Sequence, residues 1–281
     1  MQLTRRGILM APLAAPAVTT EDMPLVPFGR YSVSRLIVGG NPVSGNSHVS
    51  AALSAEMRDY FTAANVKKLL RDCEKAGINT WQSRGDRHIL RLLNEYRLEG
   101  GAIQWIGQTA SELADIPRNI REMAAAGAIG IYHHGSKTDA LWADGRIGQV
   151  REMLKVMRQT GVQVGLGTHI PEVVDHVESE GWDLDFYMTA VYNLARPPEL
   201  FRDEDREKML ARVRRTSKPC LIFKVYAASR QCDSPARMRA ALGLVFRYAK
   251  PTDCVVIGMF PKHREQVREN CWLVREALGV G

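Results

Sequence analysis

Two groups of residue types in this chain are suited to chemistry, and they recur at comparable places. Asn41 follows the apolar run SRLIVG, and Gln82 closes INTWQ. Gln108 and Thr109 end IQWIGQ, and His133 and His134 end AIGIYH. Thr168 and His169 end VQVGLGT, Tyr192 and Asn193 come just after LDFYMT, and Lys224 closes PCLIFK. Imidazole exchanges protons near neutral pH, and a lysine amine polarises or attacks a carbonyl. The amides and hydroxyls hold a polar ligand by hydrogen bonds. Buried polar groups are costly unless paired, so a ring of them at apolar run ends reads as a wet, ligand-filled mouth. On this reading His133, His169, Lys224 and Gln82 are catalytic. Asn41, Gln108, Thr109, Tyr192 and Asn193 contact substrate.

Each has a plainer reading. His133 caps a strand layer by bonding backbone, and His134 faces solvent or caps the next helix. His169 only introduces the helix begun by Pro171, and Asn193 stabilises a turn. Lys224 resists such a reading, because a lysine ending PCLIF reaches water only through the mouth. His133, His169, His48 and Asp86 form a possible divalent-metal set. No H-E-x-x-H or H-x-H motif supports that set, so no residue is assigned as a metal ligand. There is no G-x-S-x-G elbow for a serine hydrolase and no pair of strand-end carboxylates for a glycosidase.

The elements that must position these residues alternate strand and helix. Eight candidate strands lie at Ser34–Gly39, Ile78–Gln82, Ile103–Gln108, Ala128–His133, Val162–Thr168, Leu184–Thr189, Pro219–Lys224 and Asp253–Gly258. They lack apolar/polar alternation, as parallel strands covered on both faces do. Between them, Val66, Leu69, Leu70 and Cys73 repeat at helical spacing within 64–76. The same spacing recurs in 147–160 and 265–278. Gly77, Gly127, Gly161 and Gly181 punctuate helix-to-strand steps. The pattern predicts a single-domain (β/α)8 TIM barrel over residues 31–278, with the longest connection at 41–61. A doubly wound sheet is disfavoured, because Gly39-Gly40-Asn41-Pro42 is not a dinucleotide fingerprint.

Composition agrees with an enzyme-sized globular chain: 281 residues, 45% hydrophobic and 25% charged. No apolar stretch reaches the ~20 residues that span a bilayer. The net charge of +7 is spread along helices, with its densest cluster at Arg212–Arg215, the expected C-terminal end of a helix. That distribution predicts a small-molecule partner, an anion suiting the sign, and no nucleic acid. Five cysteines without C-x-x-C spacing read as buried apolar side chains. Oligomeric state leaves no trace. Residues 1–20 place Arg5-Arg6 before a mild apolar run and Ala15-Pro16-Ala17, the order of a twin-arginine export signal. The expectation is export to the periplasm.

Several segments resemble the aldo/keto reductase superfamily. VSRLIVGG (33–40) is similar to its first barrel strand, GINTWQS (77–83) to its second, AIGIYHHG (128–135) to its fourth and VGLGTH (164–169) to its fifth. DFYMTAVYNLARP (185–197) resembles its sixth strand and Tyr-Asn turn, and KPCLIFKVYAASR (218–230) resembles a seventh strand that carries lysine. VVIGMFPKHREQVREN (255–270) resembles its cofactor segment. The resemblance implies carbonyl reduction with NADP or NAD, with Gly258, Lys262 and Arg264 on phosphate and Glu269 and Asn270 on adenine. His133 falls on the family's catalytic histidine. Its aspartate falls on Gln82, its lysine on Gln108 or Thr109, and SRGDRHIL (83–90) supplies no tyrosine.

Two functions stand side by side. One is an exported NAD(P)-linked oxidoreductase acting on a small polar carbonyl or sugar-like substrate through a rebuilt centre. The other is a non-redox lyase, isomerase or hydrolase using His133, His169 and Lys224, with or without a metal. A binding barrel without turnover stands behind both.

Overall fold

The computed structural model describes residues 23–195 and 200–280; the predicted export segment lies outside them. The chain opens with an antiparallel hairpin, β1 (Leu25–Phe28) and β2 (Tyr31–Ser34), turned at Gly29 with φ +58. Sequence reading missed this hairpin. Eight parallel strands follow: β3 (Leu36–Gly39), β4 (Thr80–Arg84), β5 (Gln104–Gln108), β6 (Gly130–His133), β7 (Gln163–Thr168), β8 (Phe186–Ala190), β9 (Cys220–Phe223) and β10 (Cys254–Gly258). They pair in sequence order, and β10 returns to β3 with Val255 opposite Leu36, closing a (β/α)8 barrel.

The helices are α1 (Ala51–Tyr60), α2 (Ala63–Lys75), α3 (Arg87–Leu98), α4 (Ile116–Ala125), α5 (Gly135–Ala143), α6 (Gly148–Gln159), α7 (Pro171–Ser179), α8 (Asp203–Arg215), α9 (Pro235–Tyr248) and α10 (Gln266–Leu278). The long 41–61 connection therefore contains a helix. Its signal was weak because few of its apolar residues are buried, Met57 foremost. Ser50 caps α1 by accepting from Leu53 N–H at 3.1 Å. Helix α2 lays Val66, Leu69, Leu70 and Cys73 on the barrel, each at most 1% exposed, and burying a leucine there stabilises by about 1.5–3 kcal/mol. Arg212 and Arg215 end α8 and pair with Asp175, as their position predicted.

Strand alternation divides the side chains into two layers. Outward residues such as Trp81, Trp105, Val164, Tyr187 and Ile222 pack under the helices. Inward residues Ile37, Ile106, Tyr132, Phe186, Met188, Leu221 and Val256 fill the barrel. Gly165 makes room for Phe186, whose ring a Cβ there would meet at 2.3 Å. The hairpin closes the N-terminal end: Val26, Phe28 and Val33 join the inner layer, and Phe28 meets Phe186 edge-on at 4.9 Å. Asn79 and Gln104 donate to the Ser32 carbonyl at 3.0 and 2.7 Å and hold the hairpin in place. All five cysteines are free thiols, four of them buried. Among the described residues no helix is long and apolar enough to cross a membrane.

Candidate active site

At the C-terminal ends of the strands the barrel opens into a cavity of about 300 Å³. Inward-facing residues of the strands and of the positions just after them build its wall: Gln82 and Arg84, Gln108, Tyr132 and His134, Gly167 and His169, Met188 and Phe223. Asn41, His48 and Lys224 come from the loops. The floor is a hydrogen-bonded chain across three strands. Gln82 Nε2 donates to the Tyr132 hydroxyl at 2.8 Å, and that hydroxyl donates to Gln108 Oε1 at 2.7 Å. Burial pushes the Tyr132 phenol well above its ordinary value, so it stays protonated at neutral pH.

His169 is the best-organised acid–base group of the mouth. Its Nδ1 lies 2.7 Å from Oδ2 of Asp139, a carboxylate on α5 that is 4% exposed. Asp139 also accepts from the His169 backbone N–H at 3.2 Å and from the Thr168 hydroxyl at 2.5 Å. A carboxylate so placed keeps the proton on Nδ1 and leaves Nε2 as the proton-accepting nitrogen. Phe223 packs against the imidazole with ring centres 5.5 Å apart. Asp139 was missed at the sequence level, because α5 has little amphipathic patterning and no strand-end rule reaches into it.

Lys224 and His48 meet across the mouth, with Nζ 3.5 Å from Nε2. Both take left-handed backbone, at φ 60 and φ 55. Such a conformation costs a non-glycine residue about 1–2 kcal/mol and gathers at functional sites. Arg230 pins the His48 loop by donating to the His48 carbonyl at 2.9 Å. Lys224 thus lines the mouth, as its sequence position required.

Not all predicted residues converge. His133 faces outward, 5% exposed, with Nδ1 2.8 Å from the Thr138 hydroxyl. Its neighbour His134 takes the cavity wall instead, because successive strand residues point to opposite sides. Burial, with smaller contributions from neighbouring positive groups, lowers both imidazoles to about 4. Thr109 also lies outside the cavity lining, and its hydroxyl accepts from His134 N–H at 3.0 Å. Tyr192 is buried against Phe201 and accepts from Gln231 at 3.2 Å. Asn193 caps a turn, accepting from Ala195 N–H at 3.2 Å, which is its plainer reading. The metal set does not assemble: His133 faces α5, and Asp86 caps α3 while pairing with Arg84. Among the described residues no cluster of three His, Cys, Asp or Glu is suited to a metal.

The segment assigned to a dinucleotide is engaged within the protein. A second cavity, of about 130 Å³, continues from Lys224 to Gly258. Beyond it Lys262 and His263 both meet Glu56 of α1, at 2.8 and 2.6 Å. Arg264 pairs with Glu269. Asn270 is buried, accepting from Tyr226 at 3.0 Å and donating to the Gln266 carbonyl at 2.7 Å. The Pro42 ring covers Gly258, where an added Cβ would lie 2.8 Å from it. In this arrangement the two cations assigned to the cofactor phosphate, Lys262 and Arg264, are paired with Glu56 and Glu269 at the surface.

No protein-family model matches the chain, and no curated protein sequence does. Its architecture is shared with solved barrels. A truncated 3-deoxy-D-arabino-heptulosonate 7-phosphate synthase from Thermotoga maritima is similar with a TM-score of 0.55 and 10% identity, over 92% of this chain and 94% of that one. The glycerol dehydrogenase from Gluconobacter oxydans is similar with a TM-score of 0.51 and 11% identity, over 94% and 98%. Identities this low speak for the TIM-barrel fold alone, which hosts unrelated chemistries. The fold neighbours thus span aldolase-type and aldo/keto-reductase-type barrels.

Proposed function

We propose that the protein is an enzyme that transfers a proton on a small polar carbonyl or sugar-like compound held in the barrel mouth. The observation that carries this reading is the Asp139–His169 pair, with Nδ1 2.7 Å from the carboxylate and the imidazole on the cavity wall. Nε2 of His169 takes or returns the proton. Lys224 draws electron density onto the carbonyl oxygen, and the amides of Gln82 and Gln108 orient hydroxyls. The test is hydrogen–deuterium exchange beside the carbonyl, followed by NMR in deuterium oxide over a panel of small hydroxycarbonyl compounds. Exchange that falls at least ~100-fold in His169→Gln supports the proposal. Exchange unaffected by that change removes it.

A second reading is NAD(P)-linked carbonyl reduction in the same mouth. The cavity running from Lys224 to Gly258, with Lys262 and Arg264 beyond it, favours it. It requires Glu56 to leave Lys262 and His263. Titration with NADPH and NADH, following the fluorescence of the five tryptophans, decides between the two. Saturable quenching below about a millimolar favours reduction. Its absence leaves proton transfer alone.

A further inference from the structure

The floor of the mouth has a polarity. Gln108 stands opposite Tyr132 in the ladder, and Gln82, one strand further, pairs with Ile106, two residues before Gln108. The Tyr132 hydroxyl lies between the two amides, accepting from Gln82 Nε2 at 2.8 Å and donating its single proton to Gln108 Oε1 at 2.7 Å. A carboxamide has an acceptor end and a donor end, so each amide keeps one end in reserve. These are Oε1 of Gln82 and Nε2 of Gln108, which have no protein partner among the described residues and belong to side chains that line the cavity. Turning both amides over reverses the chain and still leaves one acceptor and one donor. Gln82 is 8% exposed, where an unanswered amide oxygen is costly. His169 Nε2, at 7% exposure, is a second acceptor in reserve. Such atoms call for a ligand that donates. Among the described residues no carboxylate lines the cavity to balance an ammonium group, so the donors are hydroxyls. An ionised phosphate or carboxylate brings no proton to Gln82 or His169, and Arg84 is already matched by Asp86 and Glu112 at 3.4 and 2.5 Å. Phe223, half-buried beside His169, offers an apolar surface to carbon-bound hydrogens.

We infer that this mouth selects an uncharged hydroxycarbonyl compound with two neighbouring hydroxyls, one donating to Gln82 Oε1 and the next accepting from Gln108 Nε2, and that Tyr132 positions both amides for the task. This rests on the mouth being the site of the proposed proton transfer, and adds what the substrate must carry away from its reacting carbon. Both amides bond the same phenol oxygen, so their reserve ends lie close together, and hydroxyls on adjacent carbons suit that spacing. Tyr132 is a positioning residue: its phenol is spent on the two amides and holds donor and acceptor in register. Removing one hydroxyl from the substrate strands a buried amide end, and sites built in this way reject the deoxy analogue strongly.

The test is calorimetric titration of the purified chain with erythritol and xylitol, which carry neighbouring hydroxyls and no reacting carbonyl. Pentane-1,5-diol, whose hydroxyls lie apart, and acetate are the controls. The titrations are repeated on Tyr132→Phe and Gln82→Met, with thermal melts to show that each is folded. Gln108→Met, at the more exposed end of the chain, carries the same comparison if Tyr132→Phe does not fold. Either polyol binding at least ~10-fold tighter than both controls, with that margin lost in the variants, supports the inference. Pentane-1,5-diol should bind Tyr132→Phe as it binds the parent, because a general loosening of the barrel would weaken every compound alike. Polyols no tighter than the controls overturn the inference, as does a margin that survives either substitution or a complete lack of polyol binding. The titration involves no turnover, so the two claims fail separately. Polyol selectivity without isotope exchange removes only proton transfer. Exchange on carbonyl compounds that lack neighbouring hydroxyls, with no polyol selectivity, removes only the hydroxyl assignment.

Discussion

Asp139 and His169 lie on different elements, the middle of α5 and the turn just after β7, yet three donors, the His169 N–H, its Nδ1 and the neighbouring Thr168 hydroxyl, all reach the one carboxylate. The carboxylate therefore fixes both the ring and the backbone of the histidine. Asp139→Asn keeps the shape and removes the charge. Turnover should fall by about 10²–10⁴-fold, because the amide favours the wrong imidazole tautomer. Stability should drop by only about 1–3 kcal/mol, the cost of a weakened buried network. Steady-state rates and denaturant melts on the same preparation check both numbers.

The two adjacent histidines should behave oppositely. His133→Ala empties a buried site and breaks the bond to the Thr138 hydroxyl, which keeps only the His134 carbonyl at 3.2 Å, and should destabilise by about 1–3 kcal/mol while sparing the chemistry. His134→Ala removes a cavity wall and should lower substrate affinity with little effect on the melt. A rate loss confined to His133→Ala would contradict the assignment of faces.

Acid should unfold the protein through these rings. Both imidazoles are held at about 4 against the ordinary 6.5, burial being the main cause. The unfolded chain thus takes up protons that the folded chain refuses. Stability is complete above pH 6.5, declines as pH falls toward 4, and levels off below that. The loss should be on the order of a few kcal/mol per histidine. Denaturant midpoints between pH 7 and pH 4 measure the slope, and His133→Asn should flatten it.

Lys224 should be an example of activity held against stability. Asn tolerates the left-handed backbone at φ 60 better than lysine does, so Lys224→Asn should gain about 0.5–1 kcal/mol of folding stability. The same change should remove most turnover and weaken binding of the carbonyl compound. Thermal melts beside titrations read both effects.

All eight barrel strands were legible in the sequence because helices cover one side and the core the other, which leaves apolar runs bounded by glycine. That same two-sided burial hid which way each residue points. Without polar/apolar alternation, His133 and His134 could not be told apart, and the phenol of Tyr132 passed unnoticed in the floor. Parity with Gly130, the inward small residue two positions earlier, was the available clue. Lys224 was legible because a charge ending an apolar strand has one place to go. Asp139 was not, since its role depends on contact with a residue 30 positions later. The hairpin at 25–34 was overlooked because its partners, Asn79, Gln104 and Phe186, lie far along the chain.

That hairpin has a consequence for traffic. With Phe28 stoppering the far end, the barrel is a cup rather than a tube. Whatever reacts inside must arrive and depart at the C-terminal end of the barrel, past the rim where Lys224 meets His48. A product still lodged there bars the next molecule, so the rate at which this rim lets go sets an upper limit on the pace of the whole cycle.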